Sequence, residues 1–221
     1  MVRKAKGESQ ATYSALLDAA EREFIDKGVT RTTLNDVASA AGMTRGAIYW
    51  HFKDKSALFQ AMCDRVFLPM QTMLNEIVSV PGADPLAALR QMMLHMLGTV
   101  TGNAQQKAVF DIIFHHCEKN DDMACFVHEK EKRGECLSKM EQILQQAIAQ
   151  GKLPLDTDTW VAVQALNSYL IGMIYEWLVD PDAYDLGRHA PTMIDIFLTG
   201  LVARPPLKPR THSAAFREPG R

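Results

Sequence analysis

Cysteine is scarce in this chain: four in 221 residues, at positions 63, 117, 125 and 136. Scattered through a sequence long enough to bury a substantial core, they are expected as reduced thiols and not as a disulfide framework. Long hydrophobic runs are missing too. No apolar stretch approaches the roughly 20 residues that cross a bilayer, and the opening MVRKAKGESQ has no apolar signal core. A cytoplasmic protein is expected. There is no GxGxxG, no GxxxxGKS or GxxxxGKT, no GxSxG and no HExxH. The phosphate-cradling loop, the nucleophile elbow and the metalloprotease helix are thus absent, and no catalysis or cofactor is expected. Strand-like alternation and internal repeats are also lacking, which leaves an all-α fold.

Net charge is small, −2, but unevenly spread. Residues 1–55 hold nine Lys/Arg against seven Asp/Glu, residues 56–203 ten against eighteen, and the tail from 204 five against one. A basic end on an acidic body fits local contact with phosphate. The stretch TTLNDVASAAGMTRGAIYWHF, residues 32–52, supplies the means. Thr33 and Asp36 have capping-box spacing. Leu34, Val37, Ala38 and Ala41 recur at helical spacing, Gly42 ends that helix, and Thr44 can cap the next. Two short helices about a Gly turn outline a helix-turn-helix. Arg45 can reach a base edge or a phosphate. Thr33, Thr44, Tyr49 and His51 can bond phosphate oxygens, Trp50 shares their helix, and Lys53 and Lys55 add charge. Gly46 and Ala47 remove bulk where a groove would press. An ordinary two-helix core accounts for the same caps and small residues.

TTLNDVASAAGMTRGAIYWHFKDKSALF resembles the DNA-binding signature of TetR-family repressors, and TRGAIYWHFKDK is similar to the AcrR-like branch that controls multidrug efflux. The arm Val2-Arg3-Lys4, Ile113-Phe114-His115 with Cys117-Glu118, Trp177 and Asp185-Leu186 extend the resemblance to about residue 203.

Further helices are expected over about 10–27, 54–80 (with a kink at Pro69), 85–100, 104–118, 121–150, 157–178 and 186–203, with residues 1–10 mobile. Gly134 suggests close packing. Domains are placed at 1–54 for DNA binding and 55–204 for ligand binding and dimerisation, with 205–221 a disordered basic tail. Methionines cluster at 62, 70, 73, 92, 93, 96, 140 and 173. Such residues are ordinary core filler, or the wall of a pocket that accepts several shapes. The resemblance implies the pocket, with Val66, Phe67, Met70, Leu89, Met92, Met93, Met96, Phe110, Phe114, Ile171 and Tyr175 lining it. Glu141, Gln164 and Asn167 would be polar orienting groups for lipophilic or cationic drug-like ligands. His115, His116, Cys117, Glu118, Asp121, Cys125 and His128 match no zinc spacing, and no metal site is expected.

The last two helices carry apolar residues on more than one face: Val161, Ala165, Leu166, Leu170, Ile174, Trp177, Ile194, Phe197, Leu198 and Leu201. That surplus suggests a partner, and the resemblance implies a homodimer reading a palindromic double-stranded DNA operator. The expected function is a repressor released by small lipophilic ligands. A ligand-independent DNA-binding regulator and an apolar-ligand carrier are the alternatives.

Overall fold

The computed structural model describes the backbone of residues 2–79, 82–117 and 124–209. Among these, side chains are described except at 2–7, 77–78 and 124–133. The described residues form helices joined by short turns, with one isolated backbone bridge and no strand.

Helix α1 runs Val2–Lys27, longer than expected, because Ala5, Lys6, Glu8 and Gln10 are good helix formers with no proline among them. The side chains of Arg3 and Lys4 lie outside the described residues. Gly28, at φ +80°, ends the helix and donates to Phe24 O at 2.9 Å. Helices α2 (Leu34–Ala40) and α3 (Arg45–His51) follow. Asp36 N donates to Thr33 Oγ1, while Thr33 N donates to Asp36 Oδ2 at 2.8 Å, closing the capping box. Between the two helices Gly42 takes φ +65°, and Met43 N donates to Ala38 O. Leu16, Leu17, Phe24, Val37, Ile48 and Phe52 are buried and give these helices one core.

Helix α4 (Lys55–Ser79) continues through Pro69, and Asp54 caps it by accepting from Ala57 N at 2.7 Å. Its first half is fastened to α1. Arg65, mostly buried, donates to Asp18 Oδ1 at 2.6 Å, Glu21 Oε1 at 3.0 Å, Ser14 O at 2.8 Å and Ser14 Oγ at 2.9 Å. Burial pushes the Glu21 carboxyl above the usual carboxylate range, and the Arg65 guanidinium opposes that only in part.

The second body holds α5 (Pro85–Gly102), α6 (Ala104–Asp111), α7 (Ala124–Ala149), α8 (Thr159–Val179) and α9 (Leu186–Ala203). The expected helix 104–118 instead ends in a π-helical turn, Ile112–His116. Asp84, Asn103, Asp158 and Asp185 each accept from amides one turn on. The start expected for α7 at about residue 121 lies outside the described residues. Arg90 pairs with Asp195 through two bonds, 2.6 and 2.9 Å, locking α5 to α9. Gly134 faces open space, so it marks no close packing. The first residues of the tail are held: Asp158 N donates to Pro206 O at 2.7 Å, Lys208 N donates to Asp156 O at 2.8 Å, and Leu207 bridges Thr157. Pro206 to Lys208, within the stretch expected as a disordered tail, are therefore paired with the segment that leads into α8.

Candidate nucleic-acid interface and ligand cavity

Helix α3 is short, and its exposed face is chemically dense. Thr44 caps it by accepting from Ala47 N at 3.2 Å, which leaves its hydroxyl proton to donate outward. Ile48 is fully buried and fixes the helix's rotation, so Arg45, Tyr49 and Trp50 point away from the core. Trp50 is 73% exposed and Tyr49 46%. The Arg45 guanidinium lies 5.3 Å from the Tyr49 ring centroid, a contact that pre-orients its fork. Gly46 is exposed and Ala47 half-buried, so the face between Arg45 and Tyr49 is flat. His51 sits 5.7 Å from Tyr13 and 4.5 Å from Trp50, ring to ring. Burial lowers its pKa, so at neutral pH it offers a neutral hydrogen bond and no charge.

Two expected phosphate contacts are otherwise engaged. Lys55 Nζ donates to Val29 O at 2.7 Å and Thr30 O at 2.8 Å, closing the α1–α2 loop onto α4. The Thr33 hydroxyl accepts from Asp36 N and donates to Asp36 Oδ2 at 2.7 Å, so it is spent on the cap. Lys53 is the exposed cation beyond α3.

A cavity of about 470 Å³ lies between α4, α5, α6, the π turn, α7 and α8. Of the residues expected to line it, Phe67, Met70, Met96, Phe110, Phe114, Asn167, Ile171 and Tyr175 do so. Val66, Leu89, Met92 and Met93 do not: they are buried in the packing of α4 and α5 against neighbouring helices. Neither do Glu141 and Gln164. Glu141 lies one residue past Met140, which does line the wall, and its Oε1 accepts from Thr159 Oγ1 at 2.7 Å. The expected lining set lacked Gln60, Cys63, Gln71, Ile113, Cys136, Leu137, Met140, Ser168, Leu170 and Gly172, which also form the wall. On α4 a signal existed. Gln60, Cys63, Phe67, Met70 and Gln71 share one helical stripe, and polar groups within an otherwise apolar stripe mark a wall that is not pure core.

Cavity and helix-turn-helix bundle meet at the π turn. Phe67, Phe110, Phe114 and Tyr175 form a chain of rings spaced 5.8, 6.0 and 5.9 Å. Two residues past Phe114, His116 O accepts from Val29 N at 3.0 Å, in the loop that follows α1. His115 Nδ1 lies 2.7 Å from Asp111 Oδ1, and His116 Nε2 3.7 Å from Asp111 Oδ2. Of the suspected metal ligands, Glu118 and Asp121 and the side chains of Cys125 and His128 lie outside the described residues.

On α8 and α9, Leu166, Leu170, Ile174, Trp177, Ile194, Leu198 and Leu201 are buried within the chain and form no outward face. Val161 and Ala165 of the expected set are exposed, and with them point out Trp160 (63% exposed), Val179 (61%), Ile196 (66%) and Val202. No helix among the described residues is long and apolar enough to cross a membrane.

Two family models match the chain. Residues 16–62 match the tetR family of bacterial regulatory proteins, and residues 84–202 match the C-terminal region of MAATS-type transcriptional repressors. The HTH-type transcriptional regulator TtgR of Pseudomonas putida is 35% identical over 94% of this chain and 100% of its own length. The regulator AcrR of Shigella flexneri is 36% identical, covering 94% and 97%. Among solved structures, a complex of SmeT with triclosan superposes with a TM-score of 0.78 at 30% identity, covering 90% of this chain and 97% of that one. A second SmeT structure describes it as the repressor of the Stenotrophomonas maltophilia multidrug efflux pump SmeDEF, with a TM-score of 0.74 at 31% identity, covering 87% and 91%. Matched at both ends by these family models and along nearly its whole length by these regulators, the chain belongs to the TetR family.

Proposed function

We propose that this protein is a DNA-binding repressor of multidrug efflux genes that leaves its operator when a small lipophilic ligand fills the cavity. The observation that carries this is the pairing of a capped recognition helix, with Arg45, Tyr49 and Trp50 outward, and a cavity joined to it through α4 and the π turn. The efflux setting comes from SmeT, described as the repressor of a multidrug pump. The bound triclosan of its complex supports a small-molecule effector.

On DNA, Arg45 reads a base edge in the major groove, while Thr44, Tyr49, Trp50 and His51 set the helix against the backbone. Gly46 and Ala47 allow the close approach. Residues 1–54 act as the DNA-binding unit, and the rest holds ligand and partner. One recognition helix of this size reads few bases, so two copies act together. The outward set Trp160, Val161, Val179, Ile196 and Val202 joins α8 and α9 of each copy in a symmetric homodimer. The half-sites are then about 34–36 Å apart, or a multiple of one helical turn. Ligand favours a conformation in which α4 has moved and that spacing no longer fits DNA, through differential affinity for the two states.

The test is fluorescence anisotropy on the DNA upstream of the protein's own gene, at physiological salt, with and without lipophilic compounds. Specific binding that one or more compounds relieve is the expected result. Specific binding that no compound relieves withdraws the effector and leaves a ligand-independent regulator.

A further inference from the structure

We infer that the cavity selects uncharged aromatic ligands carrying a hydrogen-bond acceptor, with Gln71 as the donor that reads the acceptor. The inference rests on the ligand-responsive reading above and narrows its chemistry. Among the described residues, none that lines the cavity bears a charge. Its polar groups are amides, a hydroxyl, thiols and a phenol: Gln60, Gln71 and Asn167, Ser168, Cys63 and Cys136, and Tyr175. Five carboxylates adjoin lining residues in sequence, Asp64, Asp111, Glu135, Glu141 and Glu176, and none of them lines the cavity; Asp64 accepts from Gln60 behind the wall, and Glu141 is bonded to Thr159. A cation moved into this space leaves its hydration shell and finds no counter-charge there. The faces of Phe67, Phe110, Phe114 and Tyr175 return only part of that loss.

Those rings stand edge to face with one another at Phe67–Phe110 and Phe114–Tyr175. A planar aromatic guest can add one more ring to the series without disturbing it. The polar signal is equally definite. Gln71 Nε2 is buried and has no hydrogen-bond partner, the one such side-chain atom among the described residues, and Gln71 lines the cavity. A buried amide N–H without a partner is costly, so a site that keeps one gains from any ligand that supplies an acceptor. Gln60, by contrast, already donates to Asp64 at 2.8 Å. Gln71 is therefore the group whose satisfaction depends on the ligand.

Three molecules of one shape separate these claims: benzophenone with an acceptor, diphenylmethane without one, and N-benzylpyridinium with a permanent positive charge. Titration calorimetry on the full-length chain is expected to rank benzophenone about tenfold above diphenylmethane. N-benzylpyridinium is expected to fall at least about a hundredfold below its neutral isostere. Gln71→Leu is expected to abolish the tenfold preference, read as the ratio of the two neutral compounds so that any general change in the cavity cancels, and Gln71→Glu to admit N-benzylpyridinium. If benzophenone gains nothing over diphenylmethane, or keeps its advantage in Gln71→Leu, the role of Gln71 is overturned. If N-benzylpyridinium binds as tightly as diphenylmethane, the exclusion of cations is overturned. If neither neutral compound binds a chain that circular dichroism shows to be folded, the cavity is no ligand site and the reading above falls with this one.

Discussion

Arg65→Met removes the guanidinium that ties α4 to α1 while keeping the side chain's apolar stem in place. Four hydrogen bonds are lost, and their values are unequal. Those to the half-exposed Asp18 and to the exposed Ser14 are partly replaced by water. The bond to Glu21 is not, because that side chain is 9% exposed and keeps a buried carboxylate facing no cation. Breaking a charged, mostly buried pair of this kind is expected to cost about 2–4 kcal/mol. For a chain of this size that lowers Tm by about 8 °C. The dependence on pH carries the diagnosis. Burial already holds the Glu21 carboxyl above its unfolded value, and without Arg65 only the weaker Gln105 hydrogen bond opposes it. A carboxyl whose folded pKa is raised costs stability as pH rises through that value and is relieved as pH falls toward the unfolded value. The Tm gap between wild type and Arg65→Met is therefore expected to narrow between pH 7.5 and pH 5. Adding Glu21→Gln to Arg65→Met is expected to recover part of the loss at pH 7.5 and flatten the remaining pH dependence. Differential scanning calorimetry at the two pH values measures all of this. A gap below about 2 °C, or one of equal size at both pH values, refutes the claim that a buried charge pair fastens the two helices.

The remaining predictions concern contacts beyond the monomer. Arg45→Ala is expected to cost about 1–3 kcal/mol of operator affinity and to flatten discrimination at one base pair, measured by anisotropy on a panel of substituted operators. Equal weakening on every sequence would make Arg45 a phosphate contact. Ile196→Glu, alone and with Trp160→Glu, is expected to shift sedimentation from dimer to monomer with little change in helical content, since both side chains are exposed within one chain. An unchanged sedimentation coefficient would place the partner surface elsewhere.

The helices were legible in the sequence because their ends carry local chemistry. Asp84 with Pro85, Asn103 and Gly151 each act on amides or turns within a few residues, so spacing alone located them, whereas the cap before α8 is Asp158, just past the start expected at 157. What stayed hidden depends on partners far along the chain. Lys55 reads as one more phosphate contact beyond the recognition helix, and only the fold brings it to the carbonyls of Val29 and Thr30. The π turn has no local signature: residues 104–118 read as continuous helix, and the turn's last carbonyl is taken by Val29 N from another element. Residues 206–208 read as disordered from the prolines around them, yet they pair with the segment that leads into α8. For the cavity, periodicity on α5 collected Leu89, Met92, Met93 and Met96 onto one face. It could not tell that three of the four pack against other helices and only Met96 reaches open space.

Signalling between the cavity and the recognition helix needs an element that both sites hold, and α4 meets that condition residue by residue. Lys55 and Arg65 bind it to the α1–α2 loop and to α1, so its N-terminal half moves with the DNA-facing bundle. Gln60, Cys63, Phe67, Met70 and Gln71 stand on the cavity side of the same helix, interleaved with those anchors. A ligand that displaces the cavity face by a fraction of an ångström therefore cannot leave the bundle unmoved unless α4 bends. Pro69 supplies a place to bend, but it lies beyond Arg65, on the far side of the anchors from α3. Flexure there changes how Met70 and Gln71 meet the ligand and leaves the segment from Lys55 to Phe67 rigid. The second tie, Val29 N to His116 O, works in parallel, since the π turn that carries it also carries Phe114 into the cavity wall. Two independent ties to one loop give ligand and DNA a shared structural variable, which is what reciprocal coupling between the two sites requires.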